Sequence, residues 1–385
     1  METHITKIDL ENKEIWLIGT AHVSNASAEE VRQLLQEIKP DAVAIELDDG
    51  RYKTMTEGAD WQKTDIVQVI KSKRVGFLLA NIILSSYQQR LAKQLNVQVG
   101  SEMSTAITEA KAIDAKILCI DRNIQTTFTR IWRSMRGWDK FKMAIALVSS
   151  IFEDEKISEA EIEELKQGDM IQAALHEVGS KFPRIAEVLI NERDQVMAYK
   201  LKNADNARIV AVVGAAHVPG ITKHIQSITS IDLLLEVPQK SKSSVVISWV
   251  FPIALVALLL VSMMKVPGMA LNTVLKFILI NGSFAAVGTA LALGHPLSII
   301  TAFVMAPVGA LSPVLATGWF AGLMEAYIHK PKVEDFMALQ TDAASLKGFW
   351  RNRVIRILLV VVLANLFSTI GTLTLSANLI QNLFK

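Results

Sequence analysis

Two stretches nearly two hundred residues apart end in the same way. Ile15-Trp16-Leu17-Ile18-Gly19-Thr20-Ala21-His22 and Ile209-Val210-Ala211-Val212-Val213-Gly214-Ala215-Ala216-His217 are each a short apolar run that stops at a glycine and presents a histidine three residues on. Apolar runs of this length, rich in β-branched residues, read as buried strands. In an open parallel sheet, ligands bind outside the carboxyl ends of the strands, so two such ends in one sheet would aim both histidines at a shared crevice. Few folds other than an α/β sheet satisfy that pattern.

The intervening chain supplies more strands with charged ends. Asp41 to Leu47 is apolar on both faces until Glu46, and Ala115 to Ile120 runs into Asp121-Arg122. Between the first two strands, Asn25 or Ser27 can cap a helix to about Lys39, with Val31, Leu34, Leu35 and Ile38 at helical spacing and Pro40 ending it. Trp61 to Val97 reads as helical, with an apolar patch too short to span a bilayer. Trp132 to Phe152 is first basic and aromatic, then apolar, which suits an interface or lid. Ser158-Glu159-Ala160-Glu161 is a capping box on a solvated acidic helix. A further helix from Pro183 to about Lys202 sets Glu192 and Arg193 on two neighbouring apolar stripes, which points both at the crevice or at an internal ion pair. A last strand is expected over Asp232 to Val237.

Beyond Lys240 the solvent changes. Val245 to Met264 carries no charge, Leu271 to Leu293 is broken only by Lys276, and Val354 to Ile380 is again apolar. Each is long enough for a hydrocarbon core of about 30 Å. Residues 297–327 are too long for one span and too short for two, with Pro307, Gly309 and Pro313 at their centre. If that segment turns back as a re-entrant or helical hairpin, Lys240 and Lys242 share a side with Lys330, Lys332, Lys347, Arg351, Arg353 and Arg356. The positive-inside rule then places this side, and the N-terminal domain, in the cytoplasm. Gly318-x-x-x-Gly322 offers a small-residue surface for packing within the protomer or across a homodimer. The expected organisation is therefore a soluble α/β domain over 1–240 and an integral-membrane helical domain over 245–385.

Composition removes other options. A net charge of +2 without a basic, aromatic-interleaved block gives no support for a nucleic-acid partner. The single cysteine, Cys119, excludes an intramolecular disulfide. No Gly-x-Gly-x-x-Gly, Walker loop or Gly-x-Ser-x-Gly elbow is present. What remains is the convergence of His22, Glu46, Asp121, Glu192, Arg193 and His217 at one sheet edge. Two imidazoles and a carboxylate suit a divalent ion such as zinc, manganese or cobalt, with a spare carboxylate as base and an arginine for an anionic group.

These residues also carry a family resemblance. Gly19-Thr20-Ala21-His22-Val23-Ser24, Pro40 to Asp48 with Arg51, Asp121-Arg122, Asn191-Glu192-Arg193-Asp194 and Gly214 to Gly220 resemble successive blocks of the TraB/PrgY pheromone-shutdown family. His295-Pro296, Pro307, Pro313 and Gly318-Trp319-Phe320 resemble its membrane half. The resemblance implies a Tiki/TraB/GumN-like α/β domain with divalent-metal-dependent peptidase activity. It places metal ligands at His22, Glu46 and His217, and catalytic roles at Glu46, Glu192 and Arg193. Arg51, Asp121 and Arg122 are the expected substrate-binding residues, and the expected partners are a peptide or protein substrate and membrane lipid. Ala216 departs from the pattern, where relatives often carry a second glycine. Two other readings stay open: a peptide-binding membrane protein without turnover, and a transport or scaffold protein centred on the hairpin.

Overall fold

A computed structural model describes residues 5–20, 25–57, 65–76, 78, 79, 81–83, 85, 86, 100–135, 137–140, 142, 183–237, 242–265, 270–312 and 314–383. The capping box at 158–161, the apolar end of the Trp132–Phe152 segment, Pro313 and His22 lie outside these residues. The chain divides into two compact units, Met1–Asp60 with Gln88–Gln239, and Trp61–Tyr87 with Lys240–Lys385. A segment from within the first 240 residues therefore belongs to the second unit.

The first unit is built on five strands, β1 (Ile5–Leu10), β2 (Lys13–Thr20), β3 (Ala42–Ile45), β4 (Lys116–Cys119) and β5 (Arg208–Gly214), in the order β1-β2-β5-β3-β4. All neighbours are parallel except the β1–β2 hairpin. The two strands that run into Gly-x-x-His are direct neighbours, with Gly19 opposite Val213 and Thr20 opposite Gly214. β3 flanks β5 on its other side, Ile45 opposite Val212, and β4 follows with Cys119 opposite Ile45. Four parallel strands thus end together.

The central strands are apolar on both faces because both faces are covered. Ile18, Val43, Ile45, Val210 and Val212 meet helices α1 (Asn25–Ile38) and, after the short α2 (Asp49–Glu57), α3 (Ser101–Ala112) on one side. Ile15, Leu17, Ala44, Ile209 and Ala211 pack under Met197, Leu201, Ile221 and Ile225 on the other. Helix α4 (Ile124–Ser134) is capped by Asn123, whose carboxamide oxygen accepts from Gln125 N at 2.9 Å. Its C-terminal side exposes Trp132, and Trp138 beyond it is also exposed; Lys140 and Lys142 sit over the two rings.

One expectation needs correction, and one strand adds to those expected. Asp232–Leu235 is a short helix, not a strand: Ser230 Oγ accepts from Asp232 N, and the amides of Leu234 and Leu235 both donate to Ile231 O. The Ser230–Asp232 turn sequence closes the chain locally before any sheet edge could take it up. Conversely, Ile5–Leu10 forms an edge strand that was not expected from its composition. Its alternation of Ile5, Ile8 and Leu10 with Thr6, Lys7 and Asp9 is the pattern of a strand paired to one neighbour, joined here through the two-residue turn Glu11-Asn12.

Helix α5 runs from Pro183 to Lys202, but Glu187–Asn191 is a π-helical turn. The extra residue shifts the angular position of everything after it relative to a uniform 3.6-residue period. Helix α6 (Val218–His224) follows the β5 loop, with proline at its second position, where a missing N–H costs no helical bond.

The second unit is helical: α7 (Lys242–Lys265), α8 (Ala270–Leu291), α9 (Pro296–Ala310), α10 (Thr317–Ile328) and α11 (Arg353–Leu383), with three short helices before α11 and Ile66–Lys71 packed on α10. Within it, Leu271–Leu291 and Arg353–Gln381 are long and apolar enough to cross a membrane; Ser248–Met264 and Pro296–Ala310 are apolar but shorter. The 297–327 segment is a pair of helices joined through residues 311–316. Glycines bring backbones together: a Cβ at Gly318 would stand 2.0 Å from Val361 O and one at Gly288 2.5 Å from Leu363 O, so α10 and α8 both press on α11. Gly322 also faces Val361, so the Gly318-x-x-x-Gly322 surface is covered within the chain. Interhelical hydrogen bonds join the same helices, from Asn281 Nδ2 to Thr372 Oγ1 (2.8 Å), Ser368 Oγ to Asn281 Oδ1 (2.9 Å) and Gly318 N to Asn365 Oδ1 (2.7 Å).

Candidate functional site

The ends of β3, β4 and β5 each deliver one group to a common point. Glu46 follows the last residue of β3, Asp121 lies two residues past β4, and His217 closes the 3-10 turn after Gly214 of β5. All three are buried. Because β5 lies beside β3, the Gly214 amide faces Glu46 and donates to its Oε2 at 2.6 Å. The Glu46 Oε1 atom then lies 3.2 Å from His217 Nε2 and also accepts from Arg193 Nη2. The other imidazole nitrogen, Nδ1, meets Asp194 Oδ1 at 2.5 Å. Asp194, His217 and Glu46 form one line, carboxylate to imidazole to carboxylate.

Arg193 closes the arrangement from α5. Its Nε and Nη2 take the two oxygens of Asp121 at 2.9 Å each, a bidentate pair, while Nη1 donates to Leu189 O in the π turn. Burial alone would lower the proton affinity of this guanidinium, but Glu46 and Asp121 outweigh it and raise its pKa. Burial would likewise lower that of His217; the Glu46 charge and the Asp194 hydrogen bond instead push it up to about 9. Without another cation, His217 is an imidazolium held between two carboxylates. Burial pushes the Asp194 carboxyl up from its ordinary value, against the opposing effect of His217.

Glu192, expected beside Arg193, points into a second cluster. It accepts from Arg122 Nη1 (2.6 Å) and bidentately from Arg130 Nε and Nη2 (2.7 and 2.8 Å). Burial would raise its pKa, yet the two guanidiniums hold it below the usual carboxylate range. Arg122 is itself buried and donates further to Thr127 Oγ1, Val188 O and Leu234 O. Both members of this pair therefore lock α4, α5 and the 233–236 segment together. Of the residues expected to bind substrate, Asp121 is engaged by Arg193, Arg122 by Glu192, and Arg51 keeps a half-exposed guanidinium 4.0 Å from Asp121.

Three contributors had no role assigned from sequence: Asp194 and Gly220, which stand there only within the family-like blocks, and Arg130. A Cβ at Gly220 would fall 1.9 Å from Asp194 Oδ2 and 2.9 Å from its Cβ, so the glycine is what lets α6 approach the carboxylate that orients His217. Pro219 and Gly220 lie in the first turn of α6. Gly220→Ala is expected to displace Asp194 from His217 and cost about 1–3 kcal/mol. Thermal unfolding of the variant beside wild type checks this, and an unchanged midpoint would contradict it.

Residues 4–232 match the TraB/PrgY/gumN family, and residues 243–384 match the C-terminal domain of TraB family proteins. The chain belongs to the TraB/PrgY/gumN family. An uncharacterized protein of Methanocaldococcus jannaschii is 31% identical over 374 residues, covering 93% of this chain and 92% of its own. The TraB domain-containing proteins of Bos taurus and Homo sapiens are 27% and 26% identical over 259 residues, 60% of this chain and 68% of theirs. The similarity to the archaeal protein thus extends through nearly the whole chain.

Proposed function

We propose that this TraB-family chain is a membrane-anchored hydrolase of peptide or protein termini that uses a divalent cation held by His22, Glu46 and His217. The observation that carries the reading is the Asp194–His217–Glu46 line at the strand ends. A histidine that gives one ring nitrogen to a carboxylate and turns the other toward a second ligand is the usual arrangement of a metal-bound imidazole. Among the described residues no group of three such side chains is arranged to hold a metal ion, and His22 is outside them. The residues that are described fit the cation by their chemistry: His217 lies between the Glu46 and Asp194 carboxylates, where a divalent ion would take the place of the imidazole proton and release it.

A zinc, manganese or cobalt ion there would supply Lewis acidity toward water and toward a peptide carbonyl. The chain's own residues do the rest. The Gly214 amide and Arg193 hold Glu46 in one orientation, Asp194 fixes the His217 ring, and Arg51 offers a cation at the surface for a substrate carboxylate or carbonyl. Arg193 and Glu192 contribute by positioning, since their partners are protein groups. The pairing of Arg193 with two carboxylates also favours the second reading, a crevice that binds peptide without turnover.

Metal analysis by mass spectrometry on the detergent-purified full chain separates them. Near-stoichiometric metal in wild type, lost in His22→Ala and in His217→Ala, is the expected result, and Asp194→Asn should weaken affinity roughly 10- to 100-fold. A wild type that stays empty after incubation with each ion would move the weight to binding alone. The anchoring rests on the two long apolar helices, Leu271–Leu291 and Arg353–Gln381. A cytoplasmic first unit follows from the lysines and arginines flanking the second, and proteolysis near Arg51 in sealed vesicles tests it.

A further inference from the structure

A cavity lies within the second unit, lined by residues of that unit alone. It encloses about 520 Å³ between Asp65–Lys71, the last two turns of α10 and the chain leading to Phe336. Pockets of about 300–1,000 Å³ are the size that takes a small ligand. Ile66, Val67, Leu323, Ala326 and Phe336 make its wall apolar, while Asp65, Lys71, Tyr327 and Lys330 are its exposed members. The wall is a built one: Ile70 Cδ1 lies 3.7 Å from where a Gly322 Cβ would stand, and Lys73 sits 4.6 Å over the Trp319 ring, fastening the Ile66–Lys71 helix to α10.

The charges are unbalanced. Asp65 is committed to the helix start, its Oδ1 accepting from Val67 N at 2.8 Å. Among the described residues neither Lys71 nor Lys330 has a carboxylate within 4.0 Å. Lys330 lies 6.0 Å over the Tyr327 ring, and an apolar hollow with two ammonium groups at its mouth that no described carboxylate neutralises calls for a ligand with an apolar tail and an anionic head. Basic pockets between membrane helices on the cytoplasmic side bind the head groups of anionic lipids.

We propose that this cavity is a site for one anionic phospholipid, its acyl chain against Ile66, Val67, Leu323, Ala326 and Phe336 and its phosphate held by Lys71 and Lys330. The proposal rests on the second unit lying in a bilayer, and is independent of the metal chemistry. A bound lipid stabilises the folded protein in proportion to its occupancy. The full chain in non-ionic detergent is titrated with phosphatidylglycerol, phosphatidylcholine or inorganic phosphate, and the thermal midpoint is followed.

Phosphatidylglycerol is expected to raise the midpoint of wild type and of a Lys347→Ala control. In the Lys71→Ala/Lys330→Ala double variant its apparent affinity should fall about thirtyfold, as expected for two interfacial lysines. Both lysines are exposed, so the double variant keeps the fold. An equal shift from phosphatidylcholine or phosphate, or an undiminished response in the double variant, overturns the site. A chain that stays soluble and monodisperse without detergent overturns instead the bilayer reading beneath it.

Discussion

Replacing Arg193 with methionine is expected to cost the first unit about 3–5 kcal/mol, the range for removing one partner of a buried ion pair. The side chain is only 16% exposed, and it neutralises two carboxylates that are buried more fully still. With the guanidinium gone, Glu46 keeps the Gly214 amide and His217, while Asp121 keeps the Arg122 amide at 2.7 Å but, among the described residues, no cation nearer than Arg51 at 4.0 Å. Lysine is not a rescue, since a single ammonium cannot make the bidentate pair with Asp121 and reach Glu46 as well. Thermal unfolding of the full chain is the check, and a double-mutant cycle with Asp121→Asn isolates the pair. In that cycle the second substitution should cost much less in the Arg193→Met background than alone, because the stranded charge is then removed. Additive costs would show that the two residues do not act on each other and that the arginine is held there for something other than the strand ends.

The reason this pair matters more than Glu192 could be read only partly from sequence. Strand identity was legible because β2, β3 and β5 are covered on both faces, which writes unbroken apolar runs into the chain, and because the Gly-x-x-His repeat marks where two of them end. The convergence of Glu46, Asp121, Arg193 and His217 followed from parallel strands ending together. Glu192 took the other of its two expected places, an internal ion pair. A uniform helical period places Glu192 and Arg193 on adjacent stripes, but the π turn at Glu187–Asn191 intervenes just before them, and Arg122 and Arg130 take Glu192 from another side. Nothing in the local sequence announces a π turn. Asp194 and Gly220 were hidden for a related reason: their meaning is a close approach between α5 and α6, and close approaches are properties of packing rather than of spacing.

The second large effect is expected in the helical unit, from Glu325→Ala. This fully buried carboxylate lies in α10 and joins three elements. Its Oε2 accepts from the His295 amide and from Ser298 Oγ at 2.7 Å each, at the start of α9. Its Oε1 meets His329 Nδ1 at 2.8 Å, just past the end of α10, and lies 3.3 Å from Arg356 Nε on α11. An acid in an apolar helical bundle invites a functional reading, an ion path or a proton relay. Here both oxygens are already taken by protein donors, so the arrangement reads as a clasp that closes the α9–α10 pair onto α11. Removing the carboxylate strands a backbone amide, a hydroxyl and a guanidinium at once, and the expected loss is about 3–5 kcal/mol. Ser298→Ala, which removes one hydrogen bond and leaves the charge compensated, should cost about 1 kcal/mol. The measurement is the thermal midpoint of each variant in detergent, with size-exclusion chromatography to follow assembly. If Glu325→Ala proved no worse than Ser298→Ala, the carboxylate would not be serving as a clasp, and the transport reading of the hairpin would have to be reopened.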